Sequence, residues 1–320
     1  MSRFAKIAAS TLAATLLLIG LGGLVRATDS GLGCPDWPGC YGRVLPPPGD
    51  FHAWVEHIHR YWASVVMALL VWLAYEARRS GQPRKVQRVT LWGLVPLVSL
   101  QALLGAVVVW IKLHWVSVSS HLALALLTLG LVTWVVADAL RREGLTTPVP
   151  AAADGSAPLA RVARATAVLV FVQMILGSLV TGFDAGMAYS TFPSFNGDVL
   201  PDFDATYAFR QGLHVAHRLV AYGLAAMIVA LLVRARRAGT DPVVRRTAAL
   251  ATALVVVQIM LGAANIWGRL QADTVVPHML VGAMLWTTML VAAFRSRWQA
   301  DAVTTPQTAA GPDHAPLAAR

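Results

Sequence analysis

Apolar residues run through this chain in eight blocks, each about 20 residues long, the length that crosses roughly 30 Å of hydrocarbon as an α-helix. The blocks fall at about 7–25, 53–75, 90–111, 118–138, 165–183, 211–233, 248–267 and 276–294, separated by charged, Pro-containing or Gly-containing stretches. The pattern predicts an all-α integral membrane protein with eight transmembrane helices. The first block follows Arg3 and Lys6, as in a cleaved signal peptide. A repeat set out below makes it the partner of a mid-chain span instead.

Composition agrees. Hydrophobic side chains make up 57% of the 320 residues and charged ones only 13%, with a mean hydropathy of +0.59. That is about half the charge of an ordinary soluble domain. The low charge is confined to short segments between apolar runs, which excludes collagen-like, disordered and coiled-coil chains. A net charge of +10 raises the question of nucleic acid. The distribution answers it. Nineteen of the 26 Lys and Arg residues sit at one alternating set of ends and loops: Arg3 and Lys6, the group from Arg78 to Arg88 including Arg84, Arg141 to Arg164, Arg234 to Arg246, and Arg295, Arg297 and Arg320. By the positive-inside rule this is a topology signal, placing both termini in the cytoplasm of a multi-pass cell-membrane protein with no nucleic-acid partner.

A shift of 155 residues lays Leu24-Val25 on Leu179-Val180, Asp29 on Asp184, Gly31 on Gly186, Pro38 on Pro193, Gly42 on Gly197 and Val44-Leu45-Pro46 on Val199-Leu200-Pro201. A shift of 158 lays His59-Arg60 on His217-Arg218, and one of 157 lays Gln101, Leu104, Gly105 and His121 on Gln258, Leu261, Gly262 and His278. The chain reads as two duplicated four-helix bundles, the same way up because each has an even number of spans. The expected division is an N-terminal half at 1–142, a cytoplasmic linker at 143–164, a C-terminal half at 165–298 and a disordered cytoplasmic tail at 299–320.

Four of the nine histidines fall inside spans, in the matched pairs His59 with His121 and His217 with His278, each a few residues from the outer end of its helix. Ionisable groups at such depth are costly in lipid and face the bundle interior with a partner. One imidazole from the second helix and one from the fourth, twice over, suits the two axial positions of a haem iron, with room for the macrocycle inside a bundle. Zinc or copper wants three or four converging ligands, and no Cys or carboxylate cluster lies at that depth. Two haem irons near the outer face are the expected metal sites. Gly105, Gly177 and Gly262, in a repeated Gln-x-x-Leu-Gly pattern, leave room for a porphyrin or for a close helix.

The halves differ at three places. Glu56, one turn before His59, stands where the second half has His214, and it is the one acid near the outer part of a span. It reads either as a salt-bridged boundary residue, with Arg60, or as a proton acceptor or charge-stabilising group at one reacting site. Arg60 and Arg218 read as contacts to haem propionates or as interfacial residues. His52 and His57 read as interfacial rather than ligating, and His314 belongs to the tail. Cys34 and Cys40, in Cys-Pro-Asp-Trp-Pro-Gly-Cys of the first outer loop, suit a disulfide that is either structural or redox-active. The second half carries Tyr189 and Phe195 there.

Together these residues resemble the heme A synthase family, in its bacterial form with a cysteine pair. The resemblance covers about residues 7–295 and is carried by the eight-span layout, Glu56-x-x-His59-Arg60, His121, His217-Arg218, His278 and Gly-x-Gly-Cys-Pro-Asp-Trp-Pro at 31–38. It implies an oxidoreductase that converts the C8 methyl of heme O to the formyl of heme A for cytochrome oxidase. It also implies a substrate haem on His59 and His121 with Glu56 catalytic, and a resident haem b on His217 and His278. Heme O synthase, the farnesyltransferase upstream, and cytochrome oxidase assembly are the implied partners, and a homo-oligomer stays open, as does the electron donor. One physical difficulty accompanies this: an iron held by two imidazoles has no vacant position. The alternatives are a di-haem cytochrome b acting only in electron transfer, which wants its haems spread across the membrane, and a transporter, which wants broken midplane helices.

Overall fold

The computed structural model describes residues 1–79, 85–151, 154–237 and 239–302. Eight helices carry the fold: α1 (Arg3–Ala27), α2 (Phe51–Arg79), α3 (Lys85–Trp110), α4 (Trp115–Arg142), α5 (Ser156–Gly182), α6 (Ala208–Ala235), α7 (Pro242–Trp267) and α8 (Ala272–Asp301). All eight are long and apolar enough to cross a membrane. Most run beyond their apolar blocks, because helical hydrogen bonding continues into the polar boundary where Arg and capping residues favour it. Ser2 caps α1 through the Ala5 N–H, and Asp241 caps α7 through the Val243 N–H with Pro242 in the first turn. For the same reason α5 begins at Ser156, inside the expected linker, and α8 reaches Asp301, inside the expected tail. The remainder of that tail, with His314 and Arg320, and Arg84 lie outside the described residues.

Helices α1 to α4 close into a ring in which each packs on the next and α4 returns to α1, and α5 to α8 do the same. The two rings meet along α1 with α8, α4 with α5 and α4 with α8. Small residues permit that seam. A Cβ added at Gly23 would lie 2.9 Å from Met279 Sδ, and one at Gly182 would lie 2.8 Å from Trp115 Cβ. Across it the Ser119 and Ser178 hydroxyls are 3.0 Å apart, and Trp286 Nε1 donates to the Leu126 carbonyl at 3.1 Å. The apolar core falls into two clusters, one within the first ring on Leu70, Leu73, Leu91 and Leu94, the other on Ile228, Leu231, Leu285 and Met289 of the second ring and reaching across the seam to Ile19, Leu126 and Leu129. Helices α2, α3, α6 and α7 stay outside the seam, with Val65, Trp72, Leu100, Leu103, Val229 and Val256 exposed on the surface a bilayer would cover.

The end away from the cysteine loop is tied by buried polar contacts. Arg295 pairs with Asp241 at 2.8 Å with both side chains almost fully buried, and donates to the Thr147 carbonyl at 2.7 Å. Gln299 donates to the Gly239 carbonyl at 2.7 Å.

Candidate functional site: two histidine pairs beneath two matched loops

Within each ring the even-numbered helices stand diagonally: the backbone of α2 does not approach that of α4 closely, nor that of α6 that of α8. His59, His121, His217 and His278 all lie within the first three turns of these helices, at one common end of the molecule. Each imidazole packs against the preceding helix, and the two of a pair lie within electrostatic range of one another. Nδ1 of His59, His121 and His278 is buried without a hydrogen-bond partner, whereas Nδ1 of His217 lies 3.1 Å from the Gln173 amide. All four histidines are partly exposed.

A glycine on the preceding helix makes the room. An added Cβ at Gly22, Gly105, Gly177 or Gly262 would come 3.2, 3.3, 3.1 or 3.4 Å from Cε1 of His59, His121, His217 or His278 respectively. The glycines expected to admit a porphyrin or a close helix thus admit the imidazoles. Gly22 lacked the glutamine signature that marked the other three and went unnoticed in the sequence; its pairing with His59 follows only from the packing of α1 on α2. Among the described residues no group of three or more His, Cys, Asp or Glu comes together. The chemistry on offer is a pair of neutral nitrogen ligands from opposite sides, an axial set rather than a tetrahedral one.

Above the first pair lies the cysteine loop. Cys34 and Cys40 form a disulfide, and neither residue has exposed surface. The loop presses onto the start of α2 so closely that a Cβ at Gly33 would fall 2.4 Å from the His52 carbonyl, which only glycine tolerates. Glu56 is buried beneath it, accepting the Cys34 N–H at 2.9 Å and pairing with Arg60 at 2.5 Å. Arg60 in turn donates to the Asp36 and Gly39 carbonyls at 2.8 and 2.7 Å. At the loop tip, Asp36 accepts the Tyr41 and Gly42 N–H groups at 2.6 and 2.7 Å. The Gly42 bond above all holds its carboxyl below the usual range, against a smaller opposing effect of burial.

The second loop repeats the framework with different side chains. Arg218 donates to the Thr191 and Ser194 carbonyls at 2.8 and 3.0 Å, positions 155 residues beyond Asp36 and Gly39. His214 occupies the place of Glu56, with the Arg218 Nε–H 3.1 Å from its Nε2 and the Tyr189 N–H 3.4 Å from its Nδ1; a neutral imidazole accepts only one of the two. Tyr189 and Phe195, in place of the two cysteines, pack edge to face with centroids 5.0 Å apart. Trp37-Pro38 and Phe192-Pro193 are both cis, and the bridges Cys40 to Arg43 and Phe195 to Asp198 correspond. The two arginines, expected at propionates or at the membrane surface, therefore hold loop carbonyls, and a propionate would have to share them. His57, expected at the interface, is buried against Tyr61 with both ring nitrogens unpartnered. His52 lies at the boundary as expected, 3.0 Å from the Ser30 hydroxyl.

The profile of a family described as cytochrome oxidase assembly protein matches residues 5–290, nearly the whole fold. Proteins called heme A synthase align over most of their length. The chain belongs to the heme A synthase family. The Shewanella oneidensis heme A synthase is 28% identical, covering 88% of this chain and 92% of the relative. That of Paracoccus denitrificans is 27% identical over 88% and 84%, and that of Hyphomonas neptunium 30% identical over 65% and 69%. The match spans both rings, so each histidine pair lies within the part shared with heme A synthases.

Proposed function

We propose that this protein is a heme A synthase, a cell-membrane oxidoreductase that converts the C8 methyl of heme O to a formyl group for cytochrome oxidase. In this reading the halves are duplicated bundles with both termini in the cytoplasm and both histidine pairs near the outer face. Heme O is the substrate of the first half, between His59 and His121, and haem b is resident in the second, between His217 and His278. The observation that carries the reading is the placing of one histidine on each diagonal helix at one common end, with Nδ1 of His59, His121 and His278 buried and unpartnered. Those atoms fit a haem: an imidazole that bound iron through one nitrogen would leave the other to be satisfied nearby, and His59 with His121 and His217 with His278 would hold the group.

Haem b at His217 and His278 would supply one-electron transfer. The chain's own residues do the rest. The apolar flanks of α2 and α3 accommodate an isoprenoid tail arriving from lipid, and the closed loop keeps water from the outer end of the slot. Glu56 is the carboxylate placed to take up a proton released at the substrate methyl. Arg60 and the Cys34 N–H orient its two oxygens. Heme O synthase is the proposed supplier of the substrate.

Expression with and without a heme O supply, followed by mass analysis of the bound haems, tests substrate and reaction together. Heme O and heme A alongside haem b are expected. Haem b alone under both conditions would instead make the protein a di-haem electron carrier.

A further inference from the structure

Three of the four histidines have a glutamine reaching across from the neighbouring helix, and the fourth does not. Gln101 Nε2 donates to the His121 backbone carbonyl at 2.8 Å. Gln173 Nε2 donates to the His217 carbonyl at 2.9 Å and lies 3.1 Å from its Nδ1, and Gln258 Nε2 lies 3.3 Å from His278 Nε2. Each glutamine precedes by four residues the glycine that faces the same histidine, so amide and glycine share the helix face that meets the imidazole. At His59 the facing glycine is Gly22, and four residues before it stands Leu18. Backbone carbonyls do not distinguish His59 from His121 and His278, since its ring lies by the Leu18 carbonyl as theirs lie by those of Gln101 and Gln258. The side chain does.

A second observation concerns the other end of each amide. Oε1 of Gln101, Gln173 and Gln258 is buried with no donor. Unsatisfied acceptors are costly away from water. The N–H that an iron-bound imidazole turns outward is a donor of the right kind, and such partners fix ring orientation and raise ligand strength. Gln101 and Gln173 can therefore anchor the histidine backbone through nitrogen and satisfy the ligated ring through oxygen, and Gln258, which stands at the His278 ring itself, can do the second. Leu18 can do neither.

Resting on the reading above, we propose that Gln101, Gln173 and Gln258 are positioning residues that lock three imidazoles onto iron, and that Leu18 leaves His59 as the one axial ligand able to let go. The bond that breaks is the one between iron and the His59 imidazole, which withdraws as a neutral group, so no electron or proton changes hands. The vacated position lies in the half that carries Glu56. The second half, with both imidazoles held, stays closed to small ligands.

The test uses the full-length protein loaded with haem b in both halves, reduced with dithionite, with carbon monoxide as the probe and the Soret band as the readout. Carbon monoxide enters only where an imidazole leaves. In the unaltered chain one haem of two is expected to react. Leu18→Gln lowers that affinity by about 10–100-fold, the usual effect of an outer partner on a metal ligand, and Leu18→Met leaves it unchanged. Gln173→Leu makes the second haem reactive as well, and Gln173→Glu, which keeps an acceptor, restores its inertness. Reaction of neither haem or of both in the unaltered chain overturns the proposal. So does a Leu18→Gln protein that reacts as before, or a Gln173→Leu protein in which one haem stays inert. If Leu18→Gln does not fold, Gln173→Leu decides alone. A chain that binds no haem ends the reading of the preceding subsection and this one with it, whereas two haems with an unaltered carbon monoxide pattern end only this one.

Discussion

The two outer loops share a backbone and disagree in chemistry. Both have a cis proline, a two-residue bridge and an arginine on two carbonyls at matched positions. Yet where the first places a disulfide and a carboxylate, the second places an aromatic pair and an imidazole. The lesson is that the loop is held by main-chain groups and an arginine, which leaves positions 34, 40 and 56 free to vary in function. Glu56 accepts a loop N–H on one oxygen and an arginine on the other, whereas the neutral His214 imidazole has one lone pair for the same two donors, so only the carboxylate satisfies both.

The sharpest way to break this comparison is to remove a histidine from each half. His217→Ala should lower bound haem b below one per chain after purification, while His59→Ala should leave the haem b content intact and abolish retention of added heme O. Equal losses in both variants, read from the pyridine haemochrome spectrum, would mean that the halves do not divide the work. Next in size is the carboxylate. Glu56→Gln keeps an acceptor for the Cys34 N–H and should leave both haems bound, but heme A formation should fall by ~10²–10⁴-fold, the usual range for a lost proton-transfer group. His214→Gln at the matched place should leave it near normal. Pigment composition by chromatography checks both.

The disulfide gives a smaller effect. Its six-residue separation closes a short loop, so replacing both cysteines with serine should lower stability by about 2 kcal/mol. The double change Cys34→Tyr with Cys40→Phe, which copies the second loop, should recover much of that loss in the thermal unfolding midpoint. Smallest is an acid effect confined to the first loop. The carboxyl of Asp36 is held below its ordinary 3.8, so its contribution is present above that value and disappears as the pH falls through the lowered one. Hydrogen exchange at Tyr41 and Gly42, corrected for intrinsic rates, should speed up there. The corresponding support in the second loop is Asn196, which accepts from Ser190 and does not titrate, so that loop should not respond.

Much of this was legible in the sequence because the signals are local or repeated. Apolar blocks of membrane-spanning length predict helices directly, and histidines recurring at a drifting offset point to paired sites. Helix ends were less legible, since α5 and α8 continue into polar residues that a hydropathy pattern reads as linker and tail. Arg60 was harder still. Its partners are backbone carbonyls whose direction depends on the loop's conformation, and nothing in the residue types of 34–40 reveals it. The pairing of Gly22 with His59 needed the packing of α1 against α2, because the glutamine that flags the other three glycines is replaced by Leu18.

In the proposed reading, helices α2 and α3 flank the substrate slot of the first half with exposed apolar outer faces, and a greasy reactant reaches it sideways. Its effective concentration is then a two-dimensional one, set by how much of it shares the same micelle or vesicle as the protein. Half-saturation should accordingly track the mole fraction of heme O in the amphiphile phase. Adding empty detergent micelles at constant total heme O should slow the turnover as competitive inhibition would, with no inhibitor present.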